Sequence, residues 1–370
     1  NDVYLTIDIH LQIAAEDGLK ENVDYVVNQS TGVETGAECQ TGAAVAMNPN
    51  TFEILALASY PTYDLTTYNA DYNLLSQDPA QPLLNRALNG TFAPGSTLKL
   101  GMAAIALSND VIVRNEIISC TGRYKNTVGC STYRNNHFGG LNVVDAIACS
   151  CNSFFCEVGN RLGIQTMEKY LSQLGLGQPT GLELGGEKGI LAGPTYRGEI
   201  QSTEQWQPGM TWQAAIGQSD HQLSPVQMAA YMGTLCNGGT RYTAHLLHSV
   251  YRFGSDEPSF VYQQTDDTVL SRFEISQEDL NTVFEGMKKV VTGTASVSRW
   301  MVNNKKIPVT VGGKTGTAQT GKDCDNALFV AAAPYNDPDI VISVVLEKGY
   351  SGGLASLTAA RILEAYYSEQ

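Results

Sequence analysis

The sequence predicts an α+β fold: an antiparallel sheet of about five strands flanked by helices, with an inserted, mainly helical lobe. Three observations lead there. Strand-like segments cluster towards both ends of the 370 residues. The middle reads as helix, and a helix closes the chain after the last strand. A chain of this length can bury one large core or two lobes. We therefore expect one domain over 1–370, with an α/β lobe at about 1–95 and 240–370 and a helical lobe at about 96–239.

The elements follow in order. Val3 to Ile9 alternates like a strand, and the stretch to about Glu21 reads as a helix with charges on one side. Gly42 to Met47 runs into the turn Asn48-Pro49-Asn50, and Phe52 to Ser59 returns as the second arm of a hairpin. Tyr60 to Pro82 is polar, rich in Asn, Asp and Tyr, and is expected to be irregular. Ser96 to Leu107 reads as a helix, with Leu98, Met102, Ile105 and Ala106 able to face a core. Val143 to Leu162 is a second helical region, and the glycine-rich 175–198 stretch a surface connection. Pro225 to Cys236 is a helix stopped by Asn237-Gly238-Gly239, where glycine can take the left-handed cap. Strands return in Pro308 to Thr320, Ala327 to Ala333 and Ile340 to Leu346, and a final helix runs from about Leu354 to Tyr367.

Composition excludes several classes. The formal net charge is −14, which argues against nucleic acid and against anionic lipid, both of which require a basic face. No run of about 18 apolar residues is present, so no segment reads as a membrane span. The chain opens on Asn1 without a charged-then-apolar leader. We read it as a processed or truncated fragment that a membrane anchor and a further domain could precede.

Three short motifs carry chemistry. Ser96 and Lys99 place a hydroxyl and an ammonium on one helix face, one turn apart. A lysine desolvated or held near another cation can lose its proton and activate such a serine. Ser150 and Asn152 add a hydroxyl able to relay a proton and an amide able to hold a substrate carbonyl. Lys314 supplies a positive charge suited to a substrate carboxylate. Thr315 and Thr317 alternate onto one strand face and can bond that carboxylate, while Gly316 between them eases packing or close backbone approach. Backbone N–H groups of Ser96 and Thr317 are candidate oxyanion donors. Singly, each motif has a plainer reading: a helix-start serine with a solvated lysine, a helix cap, a guarded edge strand. Together and in order, they read as an acyl-transfer site.

These residues resemble a known family. Pro94-Gly95-Ser96-Thr97-Leu98-Lys99, Ser150-Cys151-Asn152 and Lys314-Thr315-Gly316-Thr317 resemble, in order and rough separation, the motifs of penicillin-binding proteins and serine β-lactamases. Val3-Tyr4-Leu5-Thr6-Ile7-Asp8 with Leu11-Gln12, and Leu84-Asn85-Arg86-Ala87, are similar to class B transpeptidase domains. Trp206-Gln207-Pro208-Gly209-Met210-Thr211, Ala215 to Ser219 and Leu223 to Gln227 resemble the elongation branch, the penicillin-binding protein 2 group.

The resemblance implies a D,D-transpeptidase that cross-links peptidoglycan stem peptides through an acyl-enzyme on Ser96 and is acylated by β-lactams. Ser96, Lys99, Ser150 and Asn152 would be catalytic; Lys314, Thr315, Gly316 and Thr317 would bind substrate. It also implies the extracytoplasmic face of a bacterial membrane and a membrane glycosyltransferase of the elongation machinery as partner. No cofactor is required for the chemistry. The rival readings are a D,D-carboxypeptidase or β-lactamase of the same fold, and a β-lactam sensor. The Glu-x-x-Leu-Asn segment of class A β-lactamases does not follow Asn152.

Of eight cysteines, five fall between Cys120 and Cys156. Cys120, Cys130 and His137, with a fourth ligand such as Cys149, Cys151, Cys156 or Asp145, could hold a structural Zn2+. A Cys120–Cys130 disulfide and free thiols are the competing readings. The spacing does not choose among them. His10, His221, His245 and His248 form no spaced cluster and read as structural or surface residues.

Overall fold

A computed structural model describes residues 1–130, 139–321 and 324–368. Its centre is a five-stranded antiparallel sheet. The strands are β1 (Thr41–Met47), β2 (Ile54–Tyr60), β3 (Gly312–Ala318), β4 (Asn326–Ala333) and β5 (Ile340–Glu347). They lie in the order β3-β4-β5-β1-β2. The first hairpin thus sits beside the last one, which joins the two ends of the chain in one sheet. β3 is an edge strand, as the motif around Lys314 was expected to be.

Both faces of the sheet are covered, which explains why β1 and β4 read as unbroken apolar runs rather than alternating ones. Ala43, Val45 and Met47 join the core on the helical side; Ala44 and Ala46 join the core on the other. That second core is closed by helix α1 (Ile9–Gln29) and the last helix, Ser356–Ser368. Asp8 caps α1, its carboxylate accepting the N–H groups of His10 and Leu11. The two helices are tied by Asn22 donating to Thr358 Oγ1 at 2.9 Å.

The helical side is built from α2 (Lys99–Ser108), α3 (Val143–Ala148), α4 (Asn152–Leu162), α5 (Pro225–Cys236) and α6 (Gln277–Gly293). α5 has the expected bounds, with Ser224 as N-cap and Pro225 at the first position.

Several expectations change. The strand at the start is Asp2–Leu5, and it pairs with Leu247–Tyr251 rather than entering the main sheet. Residues 60–82 are not wholly irregular: Tyr68–Gln77 is a helix with no buried residue, lined by Tyr63–Tyr68 and Tyr68–Tyr72 ring contacts. Aromatic contacts, one of them at i, i+4 spacing, support an exposed segment whose composition alone favours a loop. α6 was not anticipated, although Leu280, Val283, Phe284, Met287, Val290 and Val291 are buried at helical spacing. The 143–162 region is two helices with a sharp break at the second motif.

Candidate active site

Ser96 lies in a 3₁₀ turn, Gly95–Leu98, that passes directly into α2. In a 3₁₀ turn, side chains three apart are eclipsed rather than staggered. Lys99 N–H donates to Ser96 O in that pattern, so the serine and lysine side chains rise from one side of the turn. The turn is held from behind by Tyr231 of α5. Its buried hydroxyl accepts the Gly101 N–H at 2.6 Å and lies 3.4 and 3.5 Å from the Thr97 and Leu98 carbonyls. Tyr231 was missed in the sequence. A lone tyrosine in an apolar helix carries no signal of where its hydroxyl ends.

The second motif stands at the joint between α3 and α4. Cys151 N–H bonds Ala146 O and Ser150 N–H bonds Ile147 O, which closes α3 with Ser150 at the left-handed position, φ +58°. Glycine is the usual residue there; a serine is strained. Cys151 then caps α4, its sulphur accepting the Phe154 N–H. The tight reversal turns the Ser150 carbonyl, the Ser150 hydroxyl and the Asn152 amide oxygen towards one point, occupied by Lys99 Nζ. The lysine donates to them at 2.8, 3.3 and 2.6 Å. Asn152 Nδ2 is anchored on Gly129 O at 2.9 Å.

β3 brings the third motif against the same point. Lys314 Nζ donates to Ser150 Oγ at 3.0 Å and to Thr315 O at 3.0 Å. The strand approaches the Ser96 turn backbone to backbone. A Cβ on Gly316 would lie 2.8 Å from Pro94 O, and one on Gly95 would lie 2.9 Å from Thr317 O. Side chains at either place would push the strand off the turn. Lys314 and Gly316 are buried, Thr315 is half-buried and Thr317 is exposed, as strand alternation requires. Thr317 Oγ1 accepts the Gly352 N–H at 3.2 Å, and Gln218 Nε2 lies 3.5 Å from Thr317 O.

Lys99 and Lys314 are both fully buried, and among the described residues no carboxylate bonds either ammonium. Burial lowers Lys99 to about 8, although nearby sulphurs favour its charged form. Lys314 falls well below the ordinary lysine value, first by burial and then by the charge on Lys99. The neutral amine is thus within reach near neutral pH. The Ser96 side chain itself has no hydrogen-bond partner among the described residues and is half-buried.

The cysteine region is partly visible. The sulphurs of Cys120, Cys130 and Cys151 lie within 4.8 Å of one another, all buried. Cys120 is unpaired, so the Cys120–Cys130 disulfide is not formed in this structure. His137, expected as a ligand, lies outside the described residues. Three sulphurs at this separation have the composition of a thiolate-rich Zn2+ site. Of the other candidate ligands, Asp145 is paired with Lys289 at 2.9 Å, which directs it away from this role.

The family profile described as the penicillin binding protein transpeptidase domain matches residues 42–366. Peptidoglycan D,D-transpeptidase MrdA of Acinetobacter baumannii is 29% identical over 390 aligned positions, covering 98% of this chain and 53% of that protein. The chain spans about half the length of the curated relatives it matches first. Among solved structures, Pseudomonas aeruginosa PBP2 in complex with WCK 5153 superposes with a TM-score of 0.82 at 28% identity, over 99% of this chain and 78% of that one. A chain described under structural coordination of polymerization and crosslinking by a peptidoglycan synthase complex gives 0.79 at 27% identity, over 100% and 63%.

Proposed function

The chain belongs to the penicillin-binding protein transpeptidase family, and from that premise we propose that it cross-links peptidoglycan as a serine D,D-transpeptidase. The observation that carries the reading is the convergence of Lys99 and Lys314 on the Ser150 hydroxyl, beside the turn that presents Ser96.

In this reading Ser96 is the nucleophile and Lys99 its base. As a neutral amine, Lys99 keeps two donated bonds, to Ser150 O and Asn152 Oδ1, and turns its lone pair to the Ser96 hydroxyl. The Ser96 oxygen attacks the carbonyl between the two terminal D-alanines while its proton moves to Lys99. The N–H groups of Ser96 and Thr317 receive the oxyanion. Ser150 passes a proton to the departing D-alanine amine and regains one from the lysines on either side. A second stem then supplies an amine that takes the acyl group from Ser96.

Substrate binding settles which lysine is charged. Without an anion, burial and the charge on Lys99 both disfavour the ammonium form of Lys314. The terminal carboxylate of the stem, placed between Lys314, Thr315 and Thr317, stabilises the ammonium of Lys314 and so favours the neutral form of Lys99. The substrate thereby prepares its own base. Gly316 lets β3 lie close enough to the Ser96 turn for both ends of the substrate to be held.

The family and its relatives support two further assignments: an extracytoplasmic site of action, and a membrane glycosyltransferase as partner, in keeping with the likeness to a chain of a peptidoglycan synthase complex that coordinates polymerization and crosslinking. Cys120, Cys130 and Cys151 would hold a structural Zn2+, with His137 as the fourth ligand read from the sequence. The ion would brace the joint that carries Ser150 and Asn152.

The test is intact-protein mass spectrometry with benzylpenicillin and with a stem peptide ending in D-Ala-D-Ala. We expect a stable adduct on Ser96, D-alanine release, and cross-linked product when an amine acceptor is added. Rapid turnover of the penicillin, or an adduct elsewhere, would defeat the reading.

A further inference from the structure

The loop 348–353 leads from β5 to the last helix, but it first crosses β4 and comes to rest against β3, on the face away from α2. A Cβ on Gly352 would lie 2.2 Å from Gly316 O and 2.7 Å from Leu328 O, so a side chain there would lift the loop off the sheet. Gly353 follows against Ser296, on the helix Ala295–Met301 that packs into the second core. Gly316 meets the Pro94 carbonyl on its other face. β3 is therefore clasped at Gly316 from both sides.

The loop has a fixed shape of its own. Tyr350 N–H donates to Asp325 O at 2.9 Å, Lys348 N–H to Asn326 Oδ1 at 3.0 Å and Leu354 N–H to Ser351 O at 2.8 Å. Lys348 and Tyr350 both hold left-handed backbone, at φ +54° and +68°. Such strain persists only where the surroundings over-determine the conformation, and it gathers at functional sites.

From this rigid seat Gly352 N–H donates to Thr317 Oγ1 at 3.2 Å. A hydroxyl carries one proton to give and two lone pairs to accept with. The bond from Gly352 takes up the accepting side and fixes the rotamer. The Thr317 proton is left without a protein acceptor among the described residues, on an exposed side chain at the sheet edge.

We propose that Gly352 is a positioning residue for the donor's terminal carboxylate: its N–H holds the Thr317 hydroxyl as a donor, and the loop 348–353 thereby sets how strongly the enzyme prefers a free carboxylate to an amide. This rests on the binding mode proposed above, which places that carboxylate at Lys314, Thr315 and Thr317. Lys314 contributes charge; the fixed hydroxyl contributes direction.

The experiment compares kcat/KM for an N-acetylated tripeptide ending in D-Ala-D-Ala with that for its C-terminal amide. An unfolded fraction lowers both rates alike and leaves their ratio unmoved, so the ratio separates positioning from stability. Thr317→Val should lower the acid-to-amide ratio about tenfold, the size expected of one hydrogen bond to a charged group. Thr317→Ser should keep the wild-type ratio, because the Gly352 N–H still holds the oxygen. Gly352→Ala should reproduce most of the valine loss, yet lower the ratio no further in a Thr317→Val background. A serine variant that falls as far as the valine one, or a Gly352→Ala loss undiminished in that background, would overturn the positioning. Where Gly352→Ala folds poorly, the serine and valine variants decide. A wild type indifferent to amidation, with Ser96 still acylated by benzylpenicillin, would overturn this inference and leave the transpeptidase reading standing. Failure of benzylpenicillin to acylate Ser96 would overturn both.

Discussion

Lys99 and Lys314 meet at one oxygen: their ammonium groups lie 3.3 and 3.0 Å from Ser150 Oγ, both fully buried. Two like charges sharing one hydroxyl in a buried site favour the neutral form of one lysine. With Lys99 at about 8, the base-competent amine is the minor form at pH 6 and the major form above pH 8. Acylation of Ser96 by a neutral acyl donor should therefore rise about tenfold per pH unit below about pH 8 and level off above it. Stopped-flow acylation across pH 5.5–9.5 checks this, and a flat profile would remove Lys99 as the base. Lys99→Met should lower the plateau rate by about 10²–10⁴-fold and abolish the slope, so that the loss narrows towards acid pH.

Lys314 has a different job and a different signature. Lys314→Ala should weaken acyl donors that carry a carboxylate far more than donors in which it is amidated, because the lost partner is the anion's. Comparing kcat/KM for a D-Ala-D-Ala peptide and its C-terminal amide in wild type and variant measures the effect. Equal losses for the two donors would mean that Lys314 acts on the reaction centre instead.

Ser150 stores strain in exchange for position. It sits at φ +58°, where glycine is comfortable. Ser150→Ala and Ser150→Gly both remove the hydroxyl, and both should lose most acylation activity. The glycine variant should nevertheless be the more stable of the two by about 1 kcal/mol, since it alone relieves the left-handed backbone. Parallel urea titrations test the difference; an alanine variant as stable as the glycine one would contradict the strain.

Tyr231→Phe tests the support behind the Ser96 turn. Removing the hydroxyl leaves the buried Gly101 N–H without its 2.6 Å acceptor, at a cost of about 1–3 kcal/mol. We expect a lower melting temperature. Well below that temperature we also expect slower acylation with an unchanged pH midpoint, because the base stays while its alignment with Ser96 loosens. A normal acylation rate in a destabilised variant would reduce Tyr231 to a purely structural role.

Much of the fold was legible. β1, β2, β4, β5 and α5 announced themselves through turn residues, caps and unbroken apolar runs, all of which are local signals. The helix Tyr68–Gln77 and the start of α4 were not, because ring contacts in one and a left-handed Ser150 in the other override composition. The pairing of Asp2–Leu5 with Leu247–Tyr251 lay beyond any local signal, since strand identity does not name a partner.

The sequence by itself determined which residue types form the site and in what order, because Ser96, Lys99, Ser150, Asn152 and the Lys314 strand are written as short patterns with chemical meaning. Only the tertiary structure decided what those residues do to one another. Whether an ammonium is buried, whether two of them face the same hydroxyl, and whether Tyr231 reaches Gly101 depend on distances across separate elements. A lysine's proton affinity is set by its surroundings in space, and those surroundings come from folding.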